Sequence, residues 1–311
     1  MNLGTSRFYS KARLAAEVLP YVTAEKSLAL TGGTAINLIH QNCPRLSVDL
    51  DLVYVGDEKD DDKAIRDVRK CLLAARARVR GAAPGRYRAV MHPKAKPKIT
   101  LSRRTDREWI KIEVSGIARQ TIYPPEWCEP QPLASDLLGI SRKVYCVSCE
   151  EAYAGKMCAS LSRQYPRDLF DMLVLYETLG ISDDMFKNFL VYVAGNKKPP
   201  AAVLTPAPLD RARGYVRSFK GMAERAVSLP RLYAVRDQLV ADVRRRLTRP
   251  MLDMFLSMYD GAPDFSVIDR AGTERLPAVR QNVRYLRQLR QADPAKYARE
   301  RRAIEALRKV V

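Results

Sequence analysis

The segment that most constrains this chain runs from Ser27 to Val55. An apolar run from Ser27 stops after Thr31 at Gly32-Gly33, a helical pattern extends from Thr34 to His40, and an alternating run follows from Val48 to Val55. Strand, turn, helix and strand in that order belong to an α/β sheet with a tight junction at the end of its first strand. Free N–H groups at a helix start attract anions, and Gly32 and Gly33 let backbone approach a phosphate with no Cβ in the way. In Val48 to Val55, alternation places Asp49 and Asp51 on one face and Leu50 and Leu52 on the other. Adjacent carboxylates repel unless a divalent cation lies between them, and Mg²⁺ (or Mn²⁺) bridging to a nucleoside triphosphate suits the pair. Singly, Gly-Gly reads as a turn and the aspartates as a solvated strand edge. In this order they point to metal-dependent nucleotidyl transfer.

Such transfer usually needs a third carboxylate, to hold a second metal and help deprotonate the attacking hydroxyl. Trp109-Ile110-Lys111-Ile112-Glu113-Val114 alternates, so Lys111 and Glu113 share a face while Ile110, Ile112 and Val114 fill the core side, and Glu113 is the candidate. From Glu150 to Leu179 the pattern is helical. Lys156, Ser160 and Arg163 recur at i, i+4 and i+7 on one stripe. Arg167-Asp168-Leu169-Phe170-Asp171 opens a second helix after Pro166, where Asp168 and Asp171 complement the helix dipole. Lys156 can meet a triphosphate as a point charge and Asp168 can orient it. A buried ion-pair network is the other reading of these residues, strongest for Arg167 and Asp171.

Gly32-Gly33-Thr34, the Arg45-x-Ser47-x-Asp49-x-Asp51 segment, Lys111-x-Glu113, and Lys156 with Arg167-Asp168-x-x-Asp171 together resemble the AbiEii/AbiGii toxin family. These are nucleotidyltransferase-like toxins of abortive-infection and type IV toxin-antitoxin systems, related to the mycobacterial MenT toxins. The resemblance spans about residues 25 to 180. It implies a DNA polymerase beta-like α/β (α+β) fold, in which a mixed sheet carries the acids and a helical part encloses the nucleotide. It further implies that Asp49 and Asp51 are metal ligands, that Lys156 and Asp168 are a further active-site pair, and that a cognate antitoxin exists. MenT-type relatives add nucleotides to the 3′ end of tRNA and so stop translation, which makes tRNA or another RNA the implied acceptor. Here threonine follows Gly33 where the broader superfamily has serine after one glycine, and fourteen residues separate Thr34 from Asp49.

Charge agrees with a polyanionic partner: 54 Lys and Arg stand against 35 Asp and Glu, a net charge of +19. Arg244, Arg245, Arg246 and Arg249 cluster at one helix end, and Arg280, Arg284 and Arg287 repeat at i, i+4 and i+7 beside Tyr285. Each reads as a solvated helix face or as a phosphate track for RNA. Only His40 and His92 are present, which argues against histidine-based metal or triad chemistry. The six cysteines are expected to be reduced thiols, and the Cys146-x-x-Cys149 pair lacks a second pair to complete a zinc site. With no long apolar stretch, a cytoplasmic protein without membrane contact is expected.

The patterns suggest a nucleotidyltransferase α/β domain over residues 1–147 and a mainly helical domain over 148–311 that completes the nucleotide site and contacts RNA. Expected elements are a helix within residues 6–23, an amphipathic helix from Asp60 to Val79 with Ile65, Val68, Leu72 and Leu73 inward, strands at Lys98–Ser102, Trp109–Val114 and Lys143–Val147, and a proline-rich connector at 124–132. Helices then run over 183–193, 210–226, 230–247, 250–259, 276–291 and 294–311, with 197–208 as a linker. In the reaction so outlined, Asp49, Asp51 and Glu113 hold metal. Gly32, Gly33, Thr34, Ser47, Lys111, Lys156, Arg163 and Arg167 meet the nucleotide, and Glu113 takes the proton of an RNA 3′-hydroxyl. A phosphate on Ser47 would set a dianion against the metal acids. Two other readings stay open: NTP-dependent phosphorylation or nucleotidylation of a protein such as the antitoxin, and a noncatalytic nucleic-acid-binding module.

Overall fold

A computed structural model describes residues 2–56, 61–92, 97–115 and 121–311. The chain divides into two compact units, residues 1–153 with 216–227, and residues 154–215 with 228–311.

The first unit is built on a mixed sheet. Its strands are β1 (Leu28–Thr31), β2 (Leu50–Tyr54), β3 (Tyr87–His92), β4 (Lys98–Arg103), β5 (Trp109–Val114), β6 (Glu126–Cys128) and β7 (Val144–Cys146), in the spatial order β3-β4-β5-β2-β1-β7-β6. β2 runs antiparallel to β1 and parallel to β5. Strict alternation sets one face: Ile99, Leu101, Ile110 and Ile112 are buried, with Leu50 and Leu52 beside them. Helices α1 (Tyr9–Val22) and α3 (Asp61–Ala82) pack against this end of the sheet. Each buried leucine or isoleucine contributes about 1.5–3 kcal/mol. The opposite face of β4 and β5 presents Lys98, Thr100, Ser102, Trp109, Lys111 and Glu113, partly exposed.

Several expectations shift. The expected start of α3 at Asp60 lies outside the described residues. Its buried stripe is Ala64, Val68, Leu72, Ala75 and Val79, whereas Leu73 stands about 100° around the helix and is 42% exposed. The connector at 124–132 contains β6, which pairs with β7, and leads into α4 (Pro132–Leu138). β3 was not among the expected strands. Residues 216–227 belong with the sheet because Leu46 N–H donates to Met222 O (2.9 Å) and Glu224 N–H to Pro44 O (3.0 Å).

The second unit is helical. It takes most of α5 (Cys149–Arg163), then α6 (Pro166–Thr178), α7 (Asp183–Ala194), α8 (Pro200–Leu204), the start of α9 (Ala212–Ser218), α10 (Leu229–Arg246), α11 (Arg249–Tyr259), α12 (Pro277–Ala292) and α13 (Pro294–Val310). Ser182, Ser228 and Asp293 cap α7, α10 and α13 by accepting from Met185, Arg231 and Lys296 N–H, as their residue types favour. The 197–208 linker is not a free hinge. Val203 and Leu204 are fully buried, and the Gln164 amide donates to Ala207 O (2.8 Å) and accepts from Leu209 N–H (2.9 Å). The helix expected over 210–226 is only α9, since Gly221 at φ +87° turns the chain away.

Candidate active site

The carboxylates of the first unit are brought together by strand register. Across the sheet, Thr31 is the partner of Asp51, Asp51 of Glu113, and Glu113 of Lys98. Partners in register project from one face, so Asp51 and Glu113 stand side by side on adjacent parallel strands. Lys111 Nζ lies 3.3 Å from Glu113 Oε2 and Lys98 Nζ 3.8 Å from Oε1, so two ammonium groups offset the paired negative charge. Lys98 was not among the expected site residues. Nothing in the sequence announces it, because its role depends on the β4–β5 register.

Asp49 departs from the alternation reading. β2 begins at Leu50, and Asp49 lies in the bend before it. Its carbonyl is held outside the ladder by Thr34 Oγ1, which donates to it at 2.6 Å. Thr34 has a single hydroxyl proton, so Ser47 Oγ, 2.8 Å away, donates to Thr34. Both hydroxyls are buried. Ser47 is therefore not presented for modification in this fold, and Thr34 spends its hydroxyl on positioning the Asp49 backbone.

The glycine pair faces the acids. α2 (Gly32–Ala35) starts directly after β1 and runs into a wider π-type turn over Ile36–His40. Gly32 has φ +69°, and a Cβ there would sit 2.8 Å from Asp51 Oδ2. A Cβ on Gly33 would sit 2.7 Å from Arg45 Nη2. Gly33 thus admits the buried Arg45 guanidinium, whose Nη1 donates to Leu46 O (2.9 Å). Arg45 stood inside the sequence motif without an assigned role.

Among the described residues no three His, Cys, Asp or Glu side chains form a cage that could hold a metal unaided. Asp49, Asp51 and Glu113 supply hard oxygen donors of the kind Mg²⁺ takes one or two at a time, filling its remaining positions with water and substrate phosphate. The glycine at position 32 lets the backbone close directly on the Asp51 carboxylate, which a Cβ would displace. The donor set fits such an ion.

In the second unit, Lys156 is buried and its Nζ lies 2.9 Å from both Asp168 Oδ1 and Asp171 Oδ2. Arg163 holds Asp168 through both oxygens, Nε to Oδ2 at 2.6 Å and Nη2 to Oδ1 at 3.0 Å. Burial by itself pushes the Asp168 carboxyl up, but Lys156, Arg163 and then Arg167 outweigh it and hold the group well below the usual carboxylate range. Lys156 thus sits inside an ion-pair network, with Arg167 half-buried beside it. An ammonium has three donors, and the two carboxylates account for two of them.

The cysteines are free thiols. Cys146 lies 3.8 Å from His40 Nε2, and burial lifts its pKa well up and that of Cys149 to about 12. Neither is poised as a nucleophile.

A family model described as nucleotidyl transferase AbiEii toxin, type IV toxin-antitoxin system, matches residues 13–270. No curated protein matches the chain in sequence. Among solved structures, the chain is similar to MenT4, a nucleotidyltransferase toxin from Mycobacterium tuberculosis H37Rv, at 16% identity and a TM-score of 0.58, over 88% of this chain and 92% of that one. At that identity the likeness is one of fold.

Proposed function

The chain belongs to the AbiEii nucleotidyl transferase toxin family of type IV toxin-antitoxin systems, and from that premise we propose that it transfers nucleotides from a nucleoside triphosphate to RNA, at the 3′ end of tRNA, and so blocks translation. Family membership implies a cognate antitoxin. The observation that carries the chemical reading is the register that sets Asp51 beside Glu113 on parallel strands, with Gly32 against Asp51. A merely structural sheet has no use for two neighbouring carboxylates on a part-exposed face.

Asp49, Asp51 and Glu113, one or two at a time, would hold Mg²⁺ or Mn²⁺, which would neutralise charge on the triphosphate. Glu113, flanked by Lys111 and Lys98, would accept a proton at Oε from the RNA 3′-hydroxyl. The 3′-oxygen then bonds to the α-phosphorus, the bond from that phosphorus to the bridging oxygen breaks, and pyrophosphate leaves. Gly32 and Gly33 give the backbone close access to the nucleotide, while Thr34 and Ser47 fix the Asp49 bend. Positioning and charge placement supply the acceleration. For the second unit we propose that Lys156, steered by Asp168, serves the same reaction, with Arg163 and Arg167 holding that carboxylate.

The test incubates the protein with Mg²⁺, total tRNA and each of the four nucleoside triphosphates, labelled at the α- or the γ-phosphate. The reading expects α-label on RNA, no γ-label, and loss of at least about a thousandfold in the Asp51→Asn variant, at about 1.4 kcal/mol per tenfold. Label confined to protein would replace RNA with a protein acceptor. Asp51-independent label would remove the site assignment. Lys156→Arg should keep the fold and lower transfer, and full activity would take Lys156 out of the reaction.

A further inference from the structure

Between Val68 and Thr105 the chain has twelve Lys and Arg and no Asp or Glu. This stretch forms most of α3 and all of β3 and β4, the end of the sheet next to the Glu113 strand. Register lays out the open face of that end in rows. Arg88, Ser102 and Trp109 are successive cross-strand partners, Val90, Thr100 and Lys111 form the next row, and His92, Lys98 and Glu113 the last, which continues into Asp51. Arg88 is exposed, and Trp109 keeps 45% of its surface in solvent. Lys11 Nζ sits 4.3 Å from the centre of the Trp109 ring system, so one face of the indole carries a cation and the other can take a planar partner. Glu113 lies four steps along β5 from Trp109, about 13 Å of strand.

Cations, hydroxyls and one exposed indole on one sheet face, ending at a pair of acids, match the two things a single-stranded nucleic acid offers at regular spacing: phosphates and planar bases. An acidic peptide would meet the cations but brings no planar group at a fixed distance from its charges. A blunt duplex keeps its bases stacked inside. We propose that the open face of β3, β4 and β5 is the platform on which a single-stranded RNA 3′ end lies, with Trp109 stacking one base and Arg88 holding the phosphate beside it. This rests on the nucleotidyl-transfer reading above and specifies how its acceptor is held.

The chain has two tryptophans, so in a Trp127→Phe protein Trp109 is the only indole. Titrating that protein with a single-stranded RNA oligonucleotide bearing a free 3′-hydroxyl should quench Trp109 fluorescence. Affinity for the same oligonucleotide should fall about tenfold in Trp109→Ala and in Arg88→Ala, and Trp109→Phe, which keeps a ring, should restore most of it. In transfer assays the KM for RNA should rise in the alanine variants while the KM for the nucleoside triphosphate stays unchanged. Absence of quenching, a change in affinity below twofold in both alanine variants, or equal quenching by a blunt duplex or by polyglutamate would overturn the platform. If RNA binding depends on Trp109 while the wild-type protein transfers no label, the platform stands and the transfer reading falls. If Asp51-dependent transfer persists with RNA KM unmoved in both variants, the reverse holds.

Discussion

Gly32 is the residue at which backbone and chemistry constrain each other most closely. Its left-handed φ would cost an alanine about 1 kcal/mol, and the added Cβ at 2.8 Å from Asp51 Oδ2 would displace the carboxylate. Gly32→Ala should therefore lose far more transfer activity than stability, read by comparing initial rates with thermal melts. Thr34→Val should behave differently. It removes the hydroxyl donor to Asp49 O and the acceptor for Ser47, at about 1–3 kcal/mol, and frees the Asp49 bend, so stability and rate fall together. Lys156→Met takes the ammonium from between two buried carboxylates and should cost about 3–5 kcal/mol in a denaturant titration. The Asp168 carboxyl is depressed in the fold, so its contribution to stability is present above the unfolded value near pH 4 and is lost as pH falls through the folded value. Unfolding free energy measured from pH 6 downward should thus drop below about pH 4, and Asp168→Asn should flatten that drop. At this scale the sequence offers Asp49, Asp51, Glu113 and Lys156 as candidates because the pattern around each of them is local. It left Lys98 and the roles of Arg45 and Thr34 hidden, because each depends on a partner across the sheet or on the far side of a turn.

At the scale of elements, the central strands were legible from alternation, and β4 and β5 fall at the expected residues to within one position. The short edge strands were not. β6 has three residues near prolines, and β3 becomes a strand only through its pairing with β4. Two other differences share one cause. The 197–208 segment looks like a linker by its prolines yet buries Val203 and Leu204, and the expected helix over 210–226 stops at Ser218, with Met222 and Glu224 instead paired to Leu46 and Pro44. Tertiary contact overrides local pattern in both. Hydrogen exchange should rank these elements: amides of β1, β2 and β5, paired on both sides within the sheet, should exchange slowest, and those of β3 and β6 at its edges faster. Equal protection across these strands would contradict this topology.

Over the whole molecule, the net charge of +19 is the property that governs how a polyanion is met. Residues 201–311 contribute 23 basic against 12 acidic residues, so the excess is spread along the chain. Among the described residues no helix is long and apolar enough to cross a membrane. RNA affinity should fall steeply with salt, and removing one phosphate contact such as Arg88 should reduce the slope of log K against log salt by about 0.7 for a single strand. In the proposed reaction that charge draws in the RNA whose 3′ end the Asp51–Glu113 pair acts on. The most direct test follows a single turnover of α-labelled nucleoside triphosphate onto tRNA with a free 3′-hydroxyl, and onto the same tRNA with that hydroxyl blocked, using the wild-type protein and Asp51→Asn. Label on the free end alone, absent in the variant, is the predicted result. Label on blocked RNA, or an undiminished rate in Asp51→Asn, would contradict it.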